Sequence, residues 1–333
     1  MDAPVQIARP SDPRNPDGAG VDALAVVLEE PGRLVLSRLP LTAPTETDIV
    51  VDIHWTGIST GTERLLWSGR MPPFPGLGYP LVPGYESVGS VIEAGSASGH
   101  RVGTTVFVPG ANCFGNVRGL FGGAASRLVV PGRRAQVVGE HIGEQAVLLA
   151  LAATAQHAIA APGARLPQLI IGHGVLGRLL ARLALLSGAP PPVVWERDAS
   201  RAGGADGYKV IDPAEDSRRD YDSIYDVSGD SNLLDRLIAR LAHGGEVVLA
   251  GFYSEPLSFA FPTAFMREAR MRVAAEWREN DLTVVRDLAN EGRLRLDGLI
   301  THRRRCEDAQ AAYQTAFTDP SCLKMVLDWR SCS

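Results

Sequence analysis

The sequence predicts an α/β protein in which a mainly β unit precedes a doubly wound parallel sheet. Residues 23–150 contain short strand-like runs separated by Pro and Gly, whereas strand-like and helix-like runs alternate after residue 151. A glycine-rich turn at 172–177, with the spacing G-x-G-x-x-G, joins an apolar run to a helix-like segment. Because 333 residues exceed the usual size of a single-core domain, these features indicate two domains.

The first unit follows an N-terminal segment, residues 1–20, that is rich in Pro, Asp, Arg and Gly and lacks an apolar core. We expect this segment to be a disordered lead, and neither a signal peptide nor an anchor. Residues 24–29 and 33–39 flank Pro31-Gly32 as a predicted hairpin, and further strands are predicted at 48–55, 88–93 and 104–108. We therefore assign residues 21–150 to the mainly β unit.

The second unit is predicted over residues 151–298. Its strands are expected at 168–171, 193–196, 210–211, 223–227, 246–251 and 272–275, and a helix is expected at 232–242. Alternation of this kind implies a parallel sheet with helices on both faces. Residues 299–333 contain a predicted helix at 307–317 and a predicted strand at 323–329, and we expect them to return to the first unit.

The glycine turn and the strand that follows it predict a dinucleotide site. Gly172 allows a tight turn, Gly174 lets a pyrophosphate approach the backbone, and Gly177 allows helix and strand to pack closely. Glu196 ends the next strand, close to the expected acidic position about 20 residues further on. A carboxylate there accepts hydrogen bonds from ribose hydroxyls and repels a 2′-phosphate, so NAD is predicted over NADP.

The predicted cofactor-binding residues also include two that follow later strands and would border the nicotinamide. For those two, turn chemistry alone is the alternative explanation. The full set is Gly172, His173, Gly174, Val175, Leu176, Gly177, Glu196, Arg197, Ser228 and Gly251.

Charge and composition argue against several classes of partner. The formal charge of −5 gives no reason to expect nucleic acid or an anionic membrane, and no uncharged apolar run reaches the length of about 20 residues that spans a bilayer. The four cysteines form no Cys-x-x-Cys pair, so the sequence indicates neither a disulfide framework nor a structural zinc site. A reducing compartment, the cytoplasm, is expected.

Four stretches resemble the medium-chain dehydrogenase/reductase superfamily, and the resemblance extends over the chain from Ala23 onward. They are the glycine turn, Gly57-Ile58-Ser59-Thr60-Gly61-Thr62-Glu63, Pro83-Gly84-Tyr85-Glu86-Ser87-Val88-Gly89 and Cys322-Leu323-Lys324-Met325-Val326. The resemblance implies a GroES-like catalytic domain, a Rossmann domain that binds NAD, and a cleft between them. Dimers are common in this superfamily, so a homodimer is expected.

The positions that hold zinc ligands in that superfamily hold other residues here. The resemblance places Ser59 at a Cys position, Tyr85 in place of the His of Gly-His-Glu, and Ala150 at the third ligand position, judged by spacing back from His157. Cys113 stands alone where the superfamily's structural zinc lobe has four cysteines. Zinc sites need thiolate, imidazole or carboxylate ligands, so no bound metal is predicted.

Hydrogen-bonding side chains are expected to take over the role of the metal. Ser59, Thr60 and Tyr85 occupy the ligand region. We predict that they are catalytic, bind the substrate oxygen and pass its proton toward solvent, together with His157. Each has an alternative role: the Ser and Thr hydroxyls could satisfy backbone groups, Tyr85 could be a packed aromatic, and His157 could be a satisfied helix histidine.

The continuous run 57–86 extends the resemblance to the bacteriochlorophyllide a dehydrogenases of bacteriochlorophyll biosynthesis. That resemblance implies a tetrapyrrole substrate, chlorin or bacteriochlorin, whose 3-(1-hydroxyethyl) group is oxidised to 3-acetyl. Trp67, Phe74 and Tyr79 form an apolar stretch that we predict to bind the macrocycle, and local core packing is the alternative. A zinc-free quinone or enone reductase that uses NADPH, and a non-catalytic nucleotide-binding protein, are the other functions left open.

Overall fold

The computed structural model describes residues 21–332, which form three β-sheets and seven α-helices. The disordered lead predicted at 1–20 lies outside the described residues. The fold class is the predicted one, with two mainly antiparallel sheets followed by a parallel sheet.

Nine strands build the first part of the chain. They are β1 (Asp22–Glu30), β2 (Arg33–Pro40), β3 (Asp48–Ile58), β4 (Leu81–Val82), β5 (Ser87–Ala94), β6 (Thr105–Val108), β7 (Arg118–Gly119), β8 (Arg127–Pro131) and β9 (Gln136–Val137). The predicted hairpin is confirmed, because β1 and β2 pair antiparallel and Gly32 takes the left-handed conformation, at φ +79°, in the turn between them. The short helix α1 (Thr62–Ser68) follows β3.

A seven-stranded sheet is the larger of the two sheets that the first part of the chain contributes to. Its order is β16-β17-β3-β5-β6-β9, with β8 paired to β3, where β16 (His302–Arg305) and β17 (Met325–Asp328) are the last strands in residues 21–332. Strand β3 pairs antiparallel with β5 in a register that sets Thr56 opposite Ser87. The C-terminal end of β3 therefore lies beside the N-terminal end of β5, which brings the residues that follow the one next to those that precede the other.

The parallel sheet contains six strands in the order β12-β11-β10-β13-β14-β15. Their bounds are β10 (Leu169–Ile171), β11 (Val193–Trp195), β12 (Lys209–Ile211), β13 (Tyr221–Asp226), β14 (Leu241–Leu249) and β15 (Arg270–Val273). Side chains of β10 alternate between its two faces: Ile170 packs in the core that contains α2 (Leu149–Ala160) and α3 (Val175–Leu186). Leu169 and Ile171 pack in the core on the other face. Apolar cores on both faces confirm the doubly wound arrangement.

The helix predicted at 232–242 is shorter than expected. The structure has α4 only over Leu234–Ile238, and β14 already begins at Leu241, which pairs with Tyr221. The apolar residues have a helical spacing, at positions 233, 234, 237, 238 and 241. This spacing made the predicted helix longer than the observed one. The pairing of Leu241 with β13, a contact distant in sequence, overrides this local pattern.

The last part of the chain returns to the first sheet. Helix α7 (Ala309–Thr318) follows the short helix α5 (Phe261–Arg267) and the twelve-residue helix α6 (Glu279–Asn290) in the chain. Strands β16 (His302–Arg305) and β17 (Met325–Asp328) flank α7. Strand β17 pairs antiparallel with β3, so that Met325 lies opposite Ile58. This pairing draws the residue before β17, Lys324, toward the end of β3.

Two cysteines near the C-terminus are bonded to each other, contrary to the expectation from the sequence. Cys306 and Cys332, separated by 26 residues, form a disulfide with a Cα–Cα distance of 6.4 Å, whereas Cys113 and Cys322 are free and buried. The pairing was missed because no local spacing signals it: the return of the chain past α7 brings the two residues together.

The surface of the parallel sheet has one pronounced apolar patch, at α5, the loop before it and the edge strand β15. Most of the exposed large hydrophobic side chains in residues 21–332 lie here: Phe252, Phe259, Phe261, Phe265, Met266, Met271 and Val273. No helix in the described part of the chain is long and apolar enough to cross a membrane.

Candidate active site

A cavity of about 1450 Å³ lies between the parallel sheet and the seven-stranded sheet. Its lining includes the whole glycine turn, the ends of the parallel strands, and Ser59, Thr60 and Tyr85 from the first part of the chain. The predicted cofactor residues Glu196, Arg197, Ser228 and Gly251 line the same cavity. Parallel strands bring their carboxyl ends to one edge of a sheet, which is why residues far apart in sequence meet here.

The glycine turn has the geometry that a phosphate group needs. Gly172 has φ +101°, and a Cβ on Gly177 would lie 1.9 Å from the carbonyl oxygen of Gly172, so neither position accepts a side chain without distortion. A Cβ on Gly174 would meet nothing within 4 Å, which leaves the backbone open on the cavity side. The twelve-residue helix α3 begins at Val175, and its free amides favour an anion.

Glu196 is held against the turn by its own hydrogen bonds. Its Oε2 accepts from the backbone N–H of His173 at 3.1 Å, and its Oε1 accepts from the backbone N–H of Asp198 at 2.9 Å. Each carboxylate oxygen retains capacity for a further hydrogen bond, which suits a ribose diol. The turn, the helix terminus and this carboxylate together fit the phosphate and adenosine ribose of a dinucleotide.

Two hydroxyl groups from the first unit form a close pair in the cavity lining. Ser59 directly follows β3 and Tyr85 lies two residues before β5, and the Ser59 Oγ is 2.7 Å from the Tyr85 hydroxyl. The Tyr85 ring packs edge-to-face on Phe121, with centroids 5.5 Å apart, and lies near Trp277 at 6.4 Å. Burial, with the nearby Glu86 carboxylate, raises the pKa of Tyr85 well above its ordinary value, so this hydroxyl stays protonated.

A layer of buried charged groups supports the hydroxyl pair. The Glu63 carboxylate accepts from the backbone N–H of Ser59 at 2.9 Å and from the Tyr313 hydroxyl at 2.6 Å. Burial raises the pKa of Glu63 to about 7, against the hydrogen bonds from Tyr313 and Ser59 that favour its charged form. The Lys324 ammonium donates to both oxygens of Glu86, at 2.8 and 2.6 Å, and this pair is almost completely buried.

Gly57, near the C-terminal end of β3, makes room for that ion pair. A Cβ on Gly57 would lie 2.0 Å from the Glu86 carboxylate. Lys324 and Tyr313 were not among the residues predicted for the site. The signal for Lys324 was present, since it lies in one of the four stretches that carry the family resemblance, whereas Tyr313 reaches Glu63 only because α7 packs against the first unit.

Comparisons with known proteins agree with this geometry. Residues 45–140 match the family described as the alcohol dehydrogenase GroES-like domain. A protein from Cereibacter sphaeroides, named 2-desacetyl-2-hydroxyethyl bacteriochlorophyllide A dehydrogenase, is 57% identical over 312 residues, which cover 92% of this chain and 98% of that protein. A protein of the same name from Rhodobacter capsulatus is 56% identical and covers 93% and 99%.

The chain belongs to the medium-chain dehydrogenase/reductase superfamily. Within it, the chain is a dehydrogenase of the same family as these two relatives. Solved structures support the fold: acetophenone reductase from Geotrichum candidum, in complex with NAD, has a TM-score of 0.78 at 18% identity, covering 94% of this chain and 98% of that one. A zinc-binding dehydrogenase from Sinorhizobium meliloti, bound to NADP, has a TM-score of 0.77 at 21% identity, covering 92% and 99%.

The three positions to which the resemblance assigns zinc ligands hold Ser59, Tyr85 and Ala150, and the absence of a bound metal stays a prediction. Ser59 and Tyr85 present neutral hydroxyls, and Ala150, buried in α2, presents a methyl group. In residues 21–332, the one group of three His, Cys, Asp or Glu side chains with ligand atoms close together is Cys306, Glu307 and Cys332, whose sulfurs form the disulfide.

His157 has a partner outside the cavity lining. It lies in α2, and its Nδ1 is 2.8 Å from the carboxylate of Asp281, which also accepts from the backbone N–H of Arg278 at the start of α6. His157 is not among the residues that line the cavity. The contact joins two helices, and the catalytic role of His157 stays a prediction.

The three predicted substrate-binding aromatics differ in their placement. Phe74 lines the cavity and lies edge-to-face with Phe121 at 6.0 Å. Trp67 and Tyr79 lie outside the lining: Trp67 packs near Phe317, with centroids 5.7 Å apart, and the Tyr79 hydroxyl donates to the carbonyl oxygen of Leu66. Substrate contact by these three residues stays a prediction.

Proposed function

We propose that this dehydrogenase uses NAD, without zinc, to oxidise the 3-(1-hydroxyethyl) group of a bacteriochlorophyllide or chlorophyllide to 3-acetyl in bacteriochlorophyll a biosynthesis. The observation that carries the proposal is the Ser59–Tyr85 hydroxyl pair, which lies in one cavity with the glycine turn. The names of the two relatives at 56 and 57% identity supply the substrate class.

The chemistry requires the substrate carbon to lose a hydride and its hydroxyl to lose a proton. A bound nicotinamide supplies the hydride acceptor. Tyr85, held neutral by its raised pKa, donates a hydrogen bond to the substrate oxygen as negative charge develops there. The Ser59 hydroxyl takes the departing proton as it releases its own to Thr60, which lines the same cavity, and Thr60 releases a proton in turn to solvent water, so that both hydroxyls end the step neutral. Glu63 acts indirectly, by fixing the backbone of Ser59.

Absence of zinc from the mechanism follows from donor chemistry. Zinc binds thiolate, imidazole and carboxylate in a tight tetrahedral set, and Ser59, Tyr85 and Ala150 offer none of these at the family's ligand positions. The hydroxyls and the buried layer behind them are therefore proposed to stabilise the alkoxide that a Lewis acid would otherwise stabilise.

The substrate would lie against an aromatic wall. Phe74, Phe121, Tyr85 and Trp277 all line the cavity and contact one another in sequence around the hydroxyl pair. Such a surface suits a flat macrocycle, since aromatic faces and edges provide large apolar contact area in a defined geometry.

A second candidate is an NADPH-dependent reductase of quinones or enones in the same superfamily. The observation in its favour is that Arg197, Arg201 and Arg236 line the cavity with Glu196, and guanidinium groups are suited to a 2′-phosphate. We favour NAD because the Glu196 carboxylate is fixed against the turn at the ribose position, where it would repel that phosphate.

One assay separates these functions. Metal-free protein is mixed with a 3-(1-hydroxyethyl) bacteriochlorophyllide and either NAD or NADP, and the long-wavelength absorption band is followed. Conversion to a conjugated acetyl group should shift that band to the red with NAD, and the shift should survive a chelator. A shift that requires added zinc contradicts the mechanism. No shift with either cofactor contradicts the substrate, and quinone reduction by NADPH would then support the second candidate.

A further inference from the structure

His173 stands between the first two glycines of the turn, and its side chain is completely buried. Its Nδ1 is 2.7 Å from the carbonyl oxygen of Arg201, and its Nε2 is 2.8 Å from the hydroxyl of Tyr208. A carbonyl oxygen can only accept, so Nδ1 carries the proton and donates. In the neutral ring Nε2 then accepts from Tyr208. These two contacts select a single neutral tautomer.

The surroundings keep this imidazole uncharged. Burial lowers the pKa of His173 to about 4, and the positive charges of Arg178 and Arg182 act in the same direction, against the Arg201 carbonyl and Glu196. Protonation would also turn Nε2 into a donor and force the Tyr208 hydroxyl to reverse its role.

The imidazole connects the glycine turn to the Glu196–Arg201 segment, which follows β11. Arg201 ends a 3-10 helix, Ala199–Arg201, and its carbonyl also accepts from the Arg178 guanidinium at 2.8 Å. Arg178 in turn donates to the carbonyl of His173 at 2.9 Å. The Arg201 side chain continues outward and donates to the carbonyl of Pro320 at 2.6 Å.

The adenosine ribose of the cofactor would lie against this Glu196–Arg201 segment. Glu196, Arg197, Asp198 and Arg201 all line the cavity, and they come from the segment that His173 secures. Loops after strands are otherwise free to move, and ordering them when a ligand binds reduces affinity. A contact made before binding, between the turn and this segment, removes that cost.

We propose that His173 is a positioning residue for the dinucleotide. Its neutral imidazole fixes the distance between the glycine turn and the Glu196–Arg201 segment. One cofactor molecule can then contact both. The inference rests on the proposed function only for the identity of the cofactor, and it makes no use of the substrate.

Four variants test this role by titration with NADH, followed by its fluorescence, in protein without substrate. His173→Leu removes the donor at similar size, whereas His173→Asn keeps an N–H at the Nδ1 position. Tyr208→Phe removes one hydroxyl, and His141→Ala, at an exposed histidine with no side-chain hydrogen bond within residues 21–332, is the control. We expect the Kd for NADH to rise about 10- to 100-fold in His173→Leu and about threefold or less in His173→Asn.

Tyr208→Phe should raise the Kd about three- to tenfold, and it decides the matter if the His173 variants do not fold. Nitrogen NMR of the cofactor-free protein should show the neutral, Nδ1-protonated ring. A lower melting temperature of the His173 variants with unchanged NADH affinity would mean a purely structural role and overturn the proposal. The Nε2-protonated tautomer would also overturn it. Equal losses of NADH affinity in His173→Leu and His173→Asn would do the same. Failure to oxidise a chlorin would overturn only the proposed function, because NADH affinity is measured independently.

Discussion

We expect the Tyr85 hydroxyl to act in the chemical step and to have no part in cofactor binding. This hydroxyl is hydrogen-bonded to Ser59, and the Tyr85 ring comes from a different unit than the glycine turn that lines the same cavity. We predict that Tyr85→Phe lowers kcat about 100-fold, because one hydrogen bond to a developing oxyanion contributes about 3 kcal/mol in a site shielded from water. The Kd for NADH should be unchanged. Steady-state turnover of the chlorin and NADH titration measure the two effects separately.

The matched control is Tyr221→Phe, which removes a hydroxyl that donates to Asp216 at 2.9 Å outside the cavity lining. Its turnover should equal that of the wild type. A Tyr85→Phe variant with full turnover would exclude the Tyr85 hydroxyl from the reaction and leave Ser59 alone at the substrate oxygen.

Two fully buried groups, Glu63 and His173, give stability opposite dependences on pH. The folded-state pKa of Glu63 is raised to about 7, so its stabilising contribution is complete below its ordinary value and is lost as pH rises through about 7. The folded-state pKa of His173 is lowered to about 4, so its contribution is complete above its ordinary value and is lost as pH falls toward 4. The groups that face Glu63 are Glu86, Lys324 and Tyr313, and those that face His173 are Arg178, Arg182, Glu196 and Tyr208.

Substitution of Glu63 and of His173 should therefore change the pH dependence of the free energy of unfolding in opposite directions. Relative to the wild type, the free energy of unfolding of Glu63→Gln should rise by about 2 kcal/mol between pH 4.5 and about 7. That of His173→Asn should fall by a similar amount between about pH 4 and pH 6.5. Urea denaturation at several pH values measures both. Parallel profiles for wild type and Glu63→Gln would show that Glu63 does not titrate in this range.

The sequence predicted the residues of the site that belong to local patterns, and it missed those that long-range packing adds. The glycine turn, Glu196 and the Ser59–Tyr85 region all carry local signals, and the structure brings them to one cavity. Tyr313 reaches Glu63 across 250 positions, and nothing in the residues around it marks that contact. The partner of Cys306 was equally hidden, because the return of the chain past α7 decides it.

At the scale of elements, the turn between β10 and α3 uses its glycines for different reasons, and substitution should separate them. Gly177→Ala would force a Cβ to within 1.9 Å of the Gly172 carbonyl, whereas Gly174→Ala would place its Cβ in open space at the cavity. We predict that Gly177→Ala lowers both the melting temperature and NADH affinity. Gly174→Ala should keep the melting temperature and weaken NADH binding about tenfold or more, because its methyl group obstructs the approach of the phosphates.

Thermal unfolding and NADH titration of the two variants test that distinction. Equal affinities for NADH in Gly174→Ala and wild type would show that the pyrophosphate does not approach the backbone at this glycine. Equal melting temperatures in Gly177→Ala and wild type would show that the turn can relax away from α3.

The helices predicted after Gly174 and at 307–317 agree with α3 and α7, whereas the helix predicted at 232–242 does not agree with the structure, for a physical reason. Each of the six runs expected in the parallel sheet overlaps a strand, although the runs at 246–251 and 272–275 extend past the ends of β14 and β15. The segment 232–242 has helical spacing yet divides between α4 and β14, because Leu241 gains a sheet partner in Tyr221. Periodicity describes which face of a segment is apolar, and only the fold decides what that face contacts.

At the scale of the whole molecule, the edge of the parallel sheet is suited to a second copy of the chain. Strand β15 is the last strand of its sheet, so in residues 21–332 one of its edges has no strand partner. The adjoining apolar patch exposes between 39 and 73% of each of its seven large side chains. Taking about 200 Å² for a large side chain, the patch amounts to about 800 Å², which matches the roughly 800 Å² that each partner buries in a standard interface.

The homodimer expected from the family resemblance stays a prediction, and this face of the parallel sheet is where it can be tested. Phe265→Asp or Met266→Lys, at side chains 66 and 72% exposed, should convert the dimer to a monomer, since each places a charge in an apolar interface. Val102→Asp, at an isolated side chain 65% exposed, is the matched control and should remain dimeric. Sedimentation equilibrium gives the mass directly. A wild-type monomer at micromolar concentration, or a dimer that both α5 variants leave intact, would show that this face is not the interface.

The same face borders the active-site cavity, because Phe252 and Val273 lie both in the patch and in the cavity lining. A dimer formed here should therefore shield that side of the cavity. NADH binding should weaken in the monomeric variants.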